Sequence, residues 1–269
     1  MKIISLNTYG GHVFEPLMKF IKEQSADTQV FCFQEMVSSQ DPRAGTEDVG
    51  WRLDLFEQIQ KILPDFKVNF VPTQENFKTK PEINGPSKIG NAIFYHKNLE
   101  ITDQGDFYIC HSYNSFNGKD YATLGHNTVW IKTENNDQPL IICCVHGNSE
   151  PADKLDSPMR IEQSKKILDF LKDHDCAKVI MGDFNLFPET ESIKMFERSG
   201  FRNLITEYEI KNTRGSKMRQ LFPEYEHGPY GFQNYADFTL VTPDLKIDSF
   251  EVPDVPISDH LPMILKLAI

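Results

Sequence analysis

Asp183 and Asn185 are the residues of this sequence whose types and spacing best suit catalysis. They follow the apolar run 179–181, which is too short and too β-branched for a helix and therefore predicts a buried strand. Gly182 then frees the backbone, and side chains two residues apart on an extended chain face the same way. We therefore expect the carboxylate and the carboxamide to converge at the carboxyl end of the strand, where α/β sheets bind ligands. An ordinary Asp/Asn turn punctuated by glycine is the alternative.

The ends of other predicted strands carry polar residues of the same kind. The apolar runs 2–6, 29–33 and 140–145 are followed by Asn7, Glu35 and His146, and Asp237, Asp259 and His260 lie beside the last apolar runs. Hard oxygen ligands without a cysteine cluster suit Mg²⁺ or Mn²⁺ rather than zinc. Two histidines fit an acid or a charge-stabilising role beside a phosphoryl group.

These residues need a layered sheet to bring them together. Helical periodicity over 14–24, 51–63 and 159–171 alternates with apolar strands, which is typical of an α/β fold. We predict an antiparallel pair from 91–95 and 101–109, and a second from 127–132 and 140–145. The length of 269 residues is compatible with one domain over 1–269.

Composition restricts the function classes. A net charge of −11 argues against general affinity for polyanions. It does not exclude a nuclease, because a bound divalent cation supplies local positive charge. Among the five cysteines, Cys32, Cys143 and Cys144 lie in apolar runs, so we expect reduced core residues. With no signal peptide and no run long enough to span a membrane, we expect a cytoplasmic protein, and we expect a monomer.

Two polar segments are candidates for substrate contact. Residues 72–90 carry Lys78, Lys80 and Lys88, for which we favour a solvated surface loop over contact with phosphate. Residues 207–235 interleave basic and aromatic side chains, which is a pattern that holds phosphates and stacks rings, or a packed surface excursion. Its members are Arg214, Lys217, Arg219, Tyr225, Tyr230, Phe232 and Tyr235.

The motifs as a set resemble those of the endonuclease/exonuclease/phosphatase superfamily, which includes deoxyribonuclease I. They run in family order from residue 5 to residue 264: Leu6-Asn7, Gln34-Glu35, Val145-His146-Gly147, Gly182-Asp183-Phe184-Asn185, Tyr235-Ala236-Asp237-Phe238 and Ser258-Asp259-His260. The resemblance implies a four-layer α/β sandwich, in which two mixed β-sheets pack face to face with helices outside.

The resemblance also implies roles for single residues. Glu35 would be the principal ligand of a Mg²⁺ ion, with Mn²⁺ as a substitute, and Asn7 and Asp259 would support it. Asp183 would orient or deprotonate the attacking water. Asn185 would donate its amide to the phosphate oxygens.

For the histidines, the same resemblance implies that His260 stabilises the phosphoryl group or protonates the leaving oxygen. Asp237 would fix its tautomer, and His146 would be a second histidine. The family often places an Arg or Tyr near the middle strand pair to touch phosphate, and this chain has no Arg there. We predict substrate contacts from five residues: Asn91, Tyr121, Asn127, Asn148 and Arg214.

Three functions fit the sequence, of which the sequence favours the first. The first is a Mg²⁺-dependent nuclease acting on phosphodiester bonds in nucleic acid, which the histidine pair and the basic-aromatic segment favour. The second is a phosphatase or phosphodiesterase for a small phosphorylated metabolite or lipid headgroup, which the acidic charge favours. The third is a non-catalytic binding module, against which the completeness of the residue set argues.

Overall fold

The computed structural model describes residues 1–39, 51–76, 87–135, 138–215, 220 and 231–268. Within these residues the strands are β1 (Lys2–Asn7), β2 (Val30–Ser38), β3 (Phe66–Glu75), β4 (Lys88–His96), β5 (Asp103–Cys110), β6 (His126–Asn135), β7 (Gln138–His146), β8 (Ala177–Asp183), β9 (Arg202–Asn203), β10 (Asp237–Val241), β11 (Ile247–Glu251) and β12 (Met263–Leu267). The helices are α1 (Phe14–Gln24), α2 (Leu55–Ile62), α3 (Pro158–Lys172), α4 (Glu191–Arg198) and α5 (Leu204–Glu207).

The strands form two mixed sheets of six strands each. The first has the order β11-β12-β1-β2-β4-β3 and the second the order β5-β6-β7-β8-β10-β9. Each sheet contains one parallel pair among antiparallel neighbours, β1 with β2 and β7 with β8. The carboxyl ends of a parallel pair meet at the same edge, so each sheet brings two strand ends together there.

Successive side chains of β1 and β2 point to opposite faces of the first sheet and therefore pack in two separate cores. Ile3 and Cys32 face the second sheet and pack in the large cluster that contains Cys143 and Ile180. Their neighbours in the chain face outward instead and pack with the apolar stripes of α1 and α2, the outward residues being Ile4, Leu6, Phe31 and Phe33. Helix α3 lies on the outside of the second sheet, so the predicted four-layer sandwich is confirmed.

Most predicted elements are present. Helix α3 begins after Ser157, whose Oγ accepts a hydrogen bond from the backbone N–H of Arg160, with Pro158 at the first helical position. The predicted pair 127–132 with 140–145 is the β6–β7 pair. The three cysteines assigned to the core are buried and reduced.

The predicted pairing of 91–95 with 101–109 is wrong. Strand β4 pairs with β2 and β3 in the first sheet, whereas β5 pairs with β6 in the second. The short polar link between them crosses from one sheet to the other instead of closing a hairpin. Proximity in sequence favoured the hairpin, but burial of both faces of β4 favours a central position in the first sheet.

No helix among the described residues is long and apolar enough to cross a membrane.

Candidate active site

Strand ends from both sheets meet at one cavity of about 350 Å³. His146 and Asp183 are register partners at the ends of β7 and β8, and Asp237 is the register partner of Asp183 on β10. Asn7 ends β1 in the first sheet. The charged and polar side chains of the predicted set that line the cavity are Glu35, His146, Asp183, Asn185, Arg214, Asp259 and His260.

Glu35 reaches the cavity because β2 bulges at this residue. Its φ is +54°, and the register between β2 and β4 shifts between Phe33 and Met36. The hydroxyl of Thr8 lies 2.9 Å from the carbonyl oxygen of Gln34 and 3.1 Å from that of Glu35, to which it can donate, so the distorted backbone is held from β1. A bulge of this kind redirects one side chain without ending the sheet.

Asp183 and Asn185 converge as predicted, but through a turn and not along extended chain. Asn185 has a φ of +55°, and its backbone N–H donates to Asp183 Oδ1 at 2.9 Å. Gly182 allows β8 to lie close to β7, because a Cβ there would lie 2.0 Å from the carbonyl oxygen of its register partner Val145. Strand β8 ends at Asp183, two residues before Asn185, so the extended chain that the prediction assumed is not present between them.

His260 and Asp237 form a buried pair. His260 Nδ1 lies 2.8 Å from Asp237 Oδ2 and 3.0 Å from Oδ1. Burial alone would lower the pKa of His260, but the carboxylates of Asp237, Asp259 and Asp183 raise it to about 9. The imidazole is therefore cationic at neutral pH, with Nε2 directed towards Asp183 Oδ2 at 3.6 Å.

Asp183 stands at the centre of the polar groups. Its Oδ2 accepts a hydrogen bond from Asn7 Nδ2 at 3.0 Å and lies 3.9 Å from His146 Nε2. Burial would raise the pKa of this carboxyl, but the positive charges of His260 and Lys154 hold it well below its ordinary value. Asp183 is therefore an ionised acceptor directed at the cavity.

Asp259 and Arg214 are ion-paired beside these groups. An Arg214 guanidinium nitrogen donates to Asp259 Oδ2, and both side chains are largely buried. Arg214 also forms a backbone bridge with His260, which fixes its segment against the site. Four other residues of the predicted basic-aromatic segment lie outside the described residues: Lys217, Arg219, Tyr225 and Tyr230. Lys78 and Lys80 of the loop 72–90 lie outside them as well.

Asn91, Asn127 and Asn148 lie near the cavity but do not line it. Asn91 Nδ2 donates to Asn127 Oδ1 at 2.8 Å, and both residues are buried. Asn148 donates to the carbonyl oxygen of Ala122 and accepts from the N–H of Glu150. These contacts hold the walls, so the predicted contacts of the three residues with substrate stay predictions. Tyr121 lines the cavity at its rim.

Lys154 is a site residue that sequence reasoning missed. Its Nζ donates to Asn185 Oδ1 at 2.6 Å, and the side chain is buried. Burial, followed by the charge of Arg214, lowers the pKa of this lysine to about 8, although Asp183 and Asp237 act in the opposite direction. A lysine in the polar run 150–156 gives no sequence signal of burial.

Arg160 is the reason that Lys154 is buried. This arginine is fully buried on α3 and donates to Asp153 Oδ1 and to four backbone carbonyls, those of Asn148, Ser149, Pro151 and Leu155. The loop before α3 therefore surrounds one guanidinium group. Within this loop Lys154 has a φ of +57°, and its side chain points into the protein.

His126 is a second missed residue. Its ring stands edge-on to His146, with centroids 5.1 Å apart, and it lines the cavity. Burial and the neighbouring His146 lower the pKa of His126 to about 3, so it is neutral. Its buried Nε2 has no hydrogen-bond partner among the described residues.

The residues present fit a divalent cation. Glu35 and Asp259 supply carboxylate oxygens to the same cavity, which Asp183 also lines. Hard oxygen donors of net negative charge suit Mg²⁺ or Mn²⁺. Asn7 points its Nδ2 at Glu35 Oε1 and Asp183 Oδ2, while its Oδ1, the atom that would bind a metal, accepts from the N–H of Tyr9.

Asp183, Asp237 and His260 also place ligand-type atoms within 4.8 Å of one another. Both oxygens of Asp237 face His260 Nδ1, so two of the three side chains are already paired with each other.

Comparisons with known proteins identify the family and the fold. A family model described as "Endonuclease/Exonuclease/phosphatase family" matches residues 4–260. No curated protein matches the chain.

Solved structures share the fold at low sequence identity. An endonuclease/exonuclease/phosphatase from Bacteroides vulgatus is 15% identical with a TM-score of 0.69, over 100% of this chain and 98% of that one. A mannosyl-6-phosphatase from Bacteroides thetaiotaomicron is 15% identical with a TM-score of 0.67, over 100% of both chains. The human Nocturnin catalytic domain with bound sulfate is 14% identical with a TM-score of 0.61, over 100% of this chain and 93% of that one.

Proposed function

The chain belongs to the endonuclease/exonuclease/phosphatase family and is a phosphoric ester hydrolase, and we propose that it hydrolyses a small phosphorylated molecule with the help of a divalent metal ion. The observation that carries this proposal is the position of His260, whose Nδ1 is bonded to Asp237 while Nε2 points to Asp183 Oδ2 at 3.6 Å. A cationic donor and an ionised acceptor therefore lie side by side at the cavity, where one can contact the phosphoryl group and the other its attacking water.

Asp183 is the acceptor for the attacking water. Its ionised carboxylate orients the nucleophile and takes its proton as the bond to phosphorus forms. Asn7 and the turn at Asn185 hold both carboxylate oxygens in place, at 3.0 and 2.9 Å.

His260 acts on the developing negative charge. The imidazolium donates from Nε2 to a phosphoryl oxygen or to the leaving oxygen, and Asp237 stabilises its charge and fixes Nδ1 as the other donor. A divalent ion bound by Glu35 and Asp259, with Asn7 beside them, would polarise the phosphoryl group and neutralise charge on the leaving oxygen. Mg²⁺ is the proposed ion, with Mn²⁺ as its substitute.

The cavity supports a small substrate over nucleic acid. Its volume of about 350 Å³ suits a small ligand. Arg214 is the arginine that lines the cavity among the described residues, and its charge is paired with that of Asp259. The net charge of −11 also disfavours binding of a polyanion. A sugar phosphate of the kind named for the Bacteroides mannosyl-6-phosphatase is of suitable size.

Nucleic acid is the second candidate. Arg214 belongs to the basic-aromatic segment and lines the cavity, which supports contact between this segment and the phosphates of a bound strand.

The test compares four substrates: mannose 6-phosphate, 4-nitrophenyl phosphate, bis(4-nitrophenyl) phosphate and plasmid DNA, each with Mg²⁺ and with EDTA. We expect metal-dependent turnover of a small ester that is lost in His260→Asn. Nicking of plasmid that falls steeply with added salt would favour the second candidate. Absence of metal-dependent turnover on all four would contradict the hydrolase mechanism.

A further inference from the structure

A third apolar cluster lies beside the catalytic groups, apart from the two cores of the sandwich. It consists of buried Val37, Trp51 and Leu53 with partly buried Ile89, Phe116 and Leu124 packed against them. Three of its members, Trp51, Ile89 and Leu124, also line the cavity that holds the catalytic residues. The cluster therefore has one face towards the protein and one face towards the place where a substrate binds.

Trp51 is held rigidly in this wall. The indole packs on Gly10, where a Cβ would lie 2.9 Å from Cγ and Cδ2 of the ring. Gly10 has a φ of +55°, and its carbonyl oxygen accepts from the N–H of Arg52 at 2.8 Å. A side chain at residue 10 would displace the ring, so glycine and tryptophan are matched to each other.

The charge is distributed unevenly around the cavity. The charged side chains that line it among the described residues are Glu35, Asp183, Arg214, Asp259 and His260. The lining residues next to the apolar cluster are its chain neighbours Gly90 and Gly125, and Thr73, whose hydroxyl lies 3.3 Å from the carbonyl oxygen of Ile89. Tyr121 extends the cluster to the rim, with its ring 5.5 Å from that of Phe116. We call the lining by these charged side chains the charged part of the cavity, and the lining by the apolar cluster and its neighbours the uncharged part.

We propose that Trp51, Ile89 and Leu124 form a subsite for a neutral aromatic ring on the leaving group of the substrate. The inference rests on the proposed function, since the phosphate has to occupy the charged part of the cavity. A cavity of about 350 Å³ holds more than a phosphate group, and an uncharged wall of apolar side chains gains most from a ring that leaves water. The ring belongs either to a nucleobase or to a simple aryl group.

The test measures binding of two phosphonates that are not hydrolysed, benzylphosphonate and methylphosphonate, by calorimetry in the presence of Mg²⁺. Both carry the same charged group, so the ratio of their Kd values reports the ring alone. We expect benzylphosphonate to bind about tenfold more tightly or better. Adenosine 5′-monophosphate and mannose 6-phosphate in the same titration show whether a nucleobase or only a simple aryl group is preferred.

Leu124→Asn is the first variant, because Leu124 is only partly buried and the fold does not depend on it as it does on Trp51. We expect it to bring the two Kd values within about twofold of each other while methylphosphonate binds as in the wild type. The matched control is Leu155→Asn, since Leu155 is 52% exposed and does not line the cavity.

Equal Kd values for the two phosphonates in the wild type would overturn the subsite. So would an undiminished preference for the ring in both Leu124→Asn and Trp51→Ala. A preference that is present and lost in Leu124→Asn supports the subsite even when no ester is hydrolysed, in which case the proposed function fails and the subsite stands.

Discussion

The ammonium group of Lys154 is buried 2.6 Å from the carboxamide oxygen of Asn185, and no other described side chain bonds to that oxygen. The amide nitrogen of Asn185 donates to the carbonyl oxygen of Gly147 at 3.1 Å. Since a lysine can only donate, the pair fixes which end of the amide is oxygen and leaves one N–H of Asn185 for a phosphate. Lys154 is thus a positioning residue for the site.

Lys154→Met should lower kcat by about tenfold or more, because the amide of Asn185 loses its fixed orientation. The KM for a small ester should change less. Lys172→Met is the control, as Lys172 is 65% exposed and pairs with Asp169. An unchanged kcat would show that Gly147 alone suffices to orient the amide.

The same variant should change how stability depends on pH. A lysine whose pKa is lowered from 10.5 to about 8 by burial makes folding less favourable while it is charged, by an amount that is full below pH 8 and absent above pH 10.5. The groups that face it are Arg214, Asp183, Asp237 and Arg160. Relative to Lys154→Met, the free energy of unfolding of the wild type should therefore rise by about 3 kcal/mol between pH 7 and pH 10.5. Urea denaturation in EDTA at both values measures this, and a constant difference would contradict the burial of the charge.

Asp237→Asn should reduce kcat by about a thousandfold, because an amide placed against His260 Nδ1 removes the charge that keeps the imidazole cationic. The fold should persist, since the two side chains have the same shape. The measurement is kcat together with a thermal melt, with Asp169→Asn on the surface as control. Loss of activity together with a collapsed melting temperature would assign Asp237 to the fold alone.

Glu35→Gln should weaken binding of Mn²⁺ by at least about tenfold, because a carboxylate ligand is replaced by a neutral amide. Calorimetric titration of the EDTA-treated protein measures the Kd without any substrate. Glu23→Gln is the matched control, since Glu23 is 62% exposed on α1. Equal affinity in wild type and Glu35→Gln would move the metal site away from the β2 bulge.

Arg160→Lys should destabilise the protein by about 2–4 kcal/mol, since a lysine cannot reach all the carbonyls that the guanidinium satisfies. Because the same loop carries Lys154, kcat should fall together with stability. Arg198→Lys, on the exposed surface, is the control for urea denaturation. A variant as stable as the wild type would show that water replaces the lost donors.

The gathering of the polar strand ends could be predicted from sequence because the rule is local. Glu35 and His146 each follow a wholly apolar run, and the ends of parallel strands meet at one edge of a sheet. The roles assigned to these residues came from their resemblance to a family and stay predictions.

The burial of Lys154 could not be predicted, because it depends on Arg160 and on four carbonyls that only the folded loop brings together. The β4–β5 pairing failed for a related reason. A short polar link fits a hairpin as well as a crossing between sheets, and only the packing of β4 between β2 and β3 decides.

The proposed catalytic groups are divided between the two sheets. Asn7 and Glu35 come from the first, whereas Asp183 and Asp237 come from the second, and Gln34 Nε2 meets Cys144 Sγ across the seam at 3.0 Å. A slip of one sheet over the other by a single residue, about 3.3 Å, would leave every strand intact and still separate Asn7 from Asp183. The rate of turnover therefore depends on the alignment of the two sheets. It should decrease in mild denaturant before the circular dichroism signal of the strands changes.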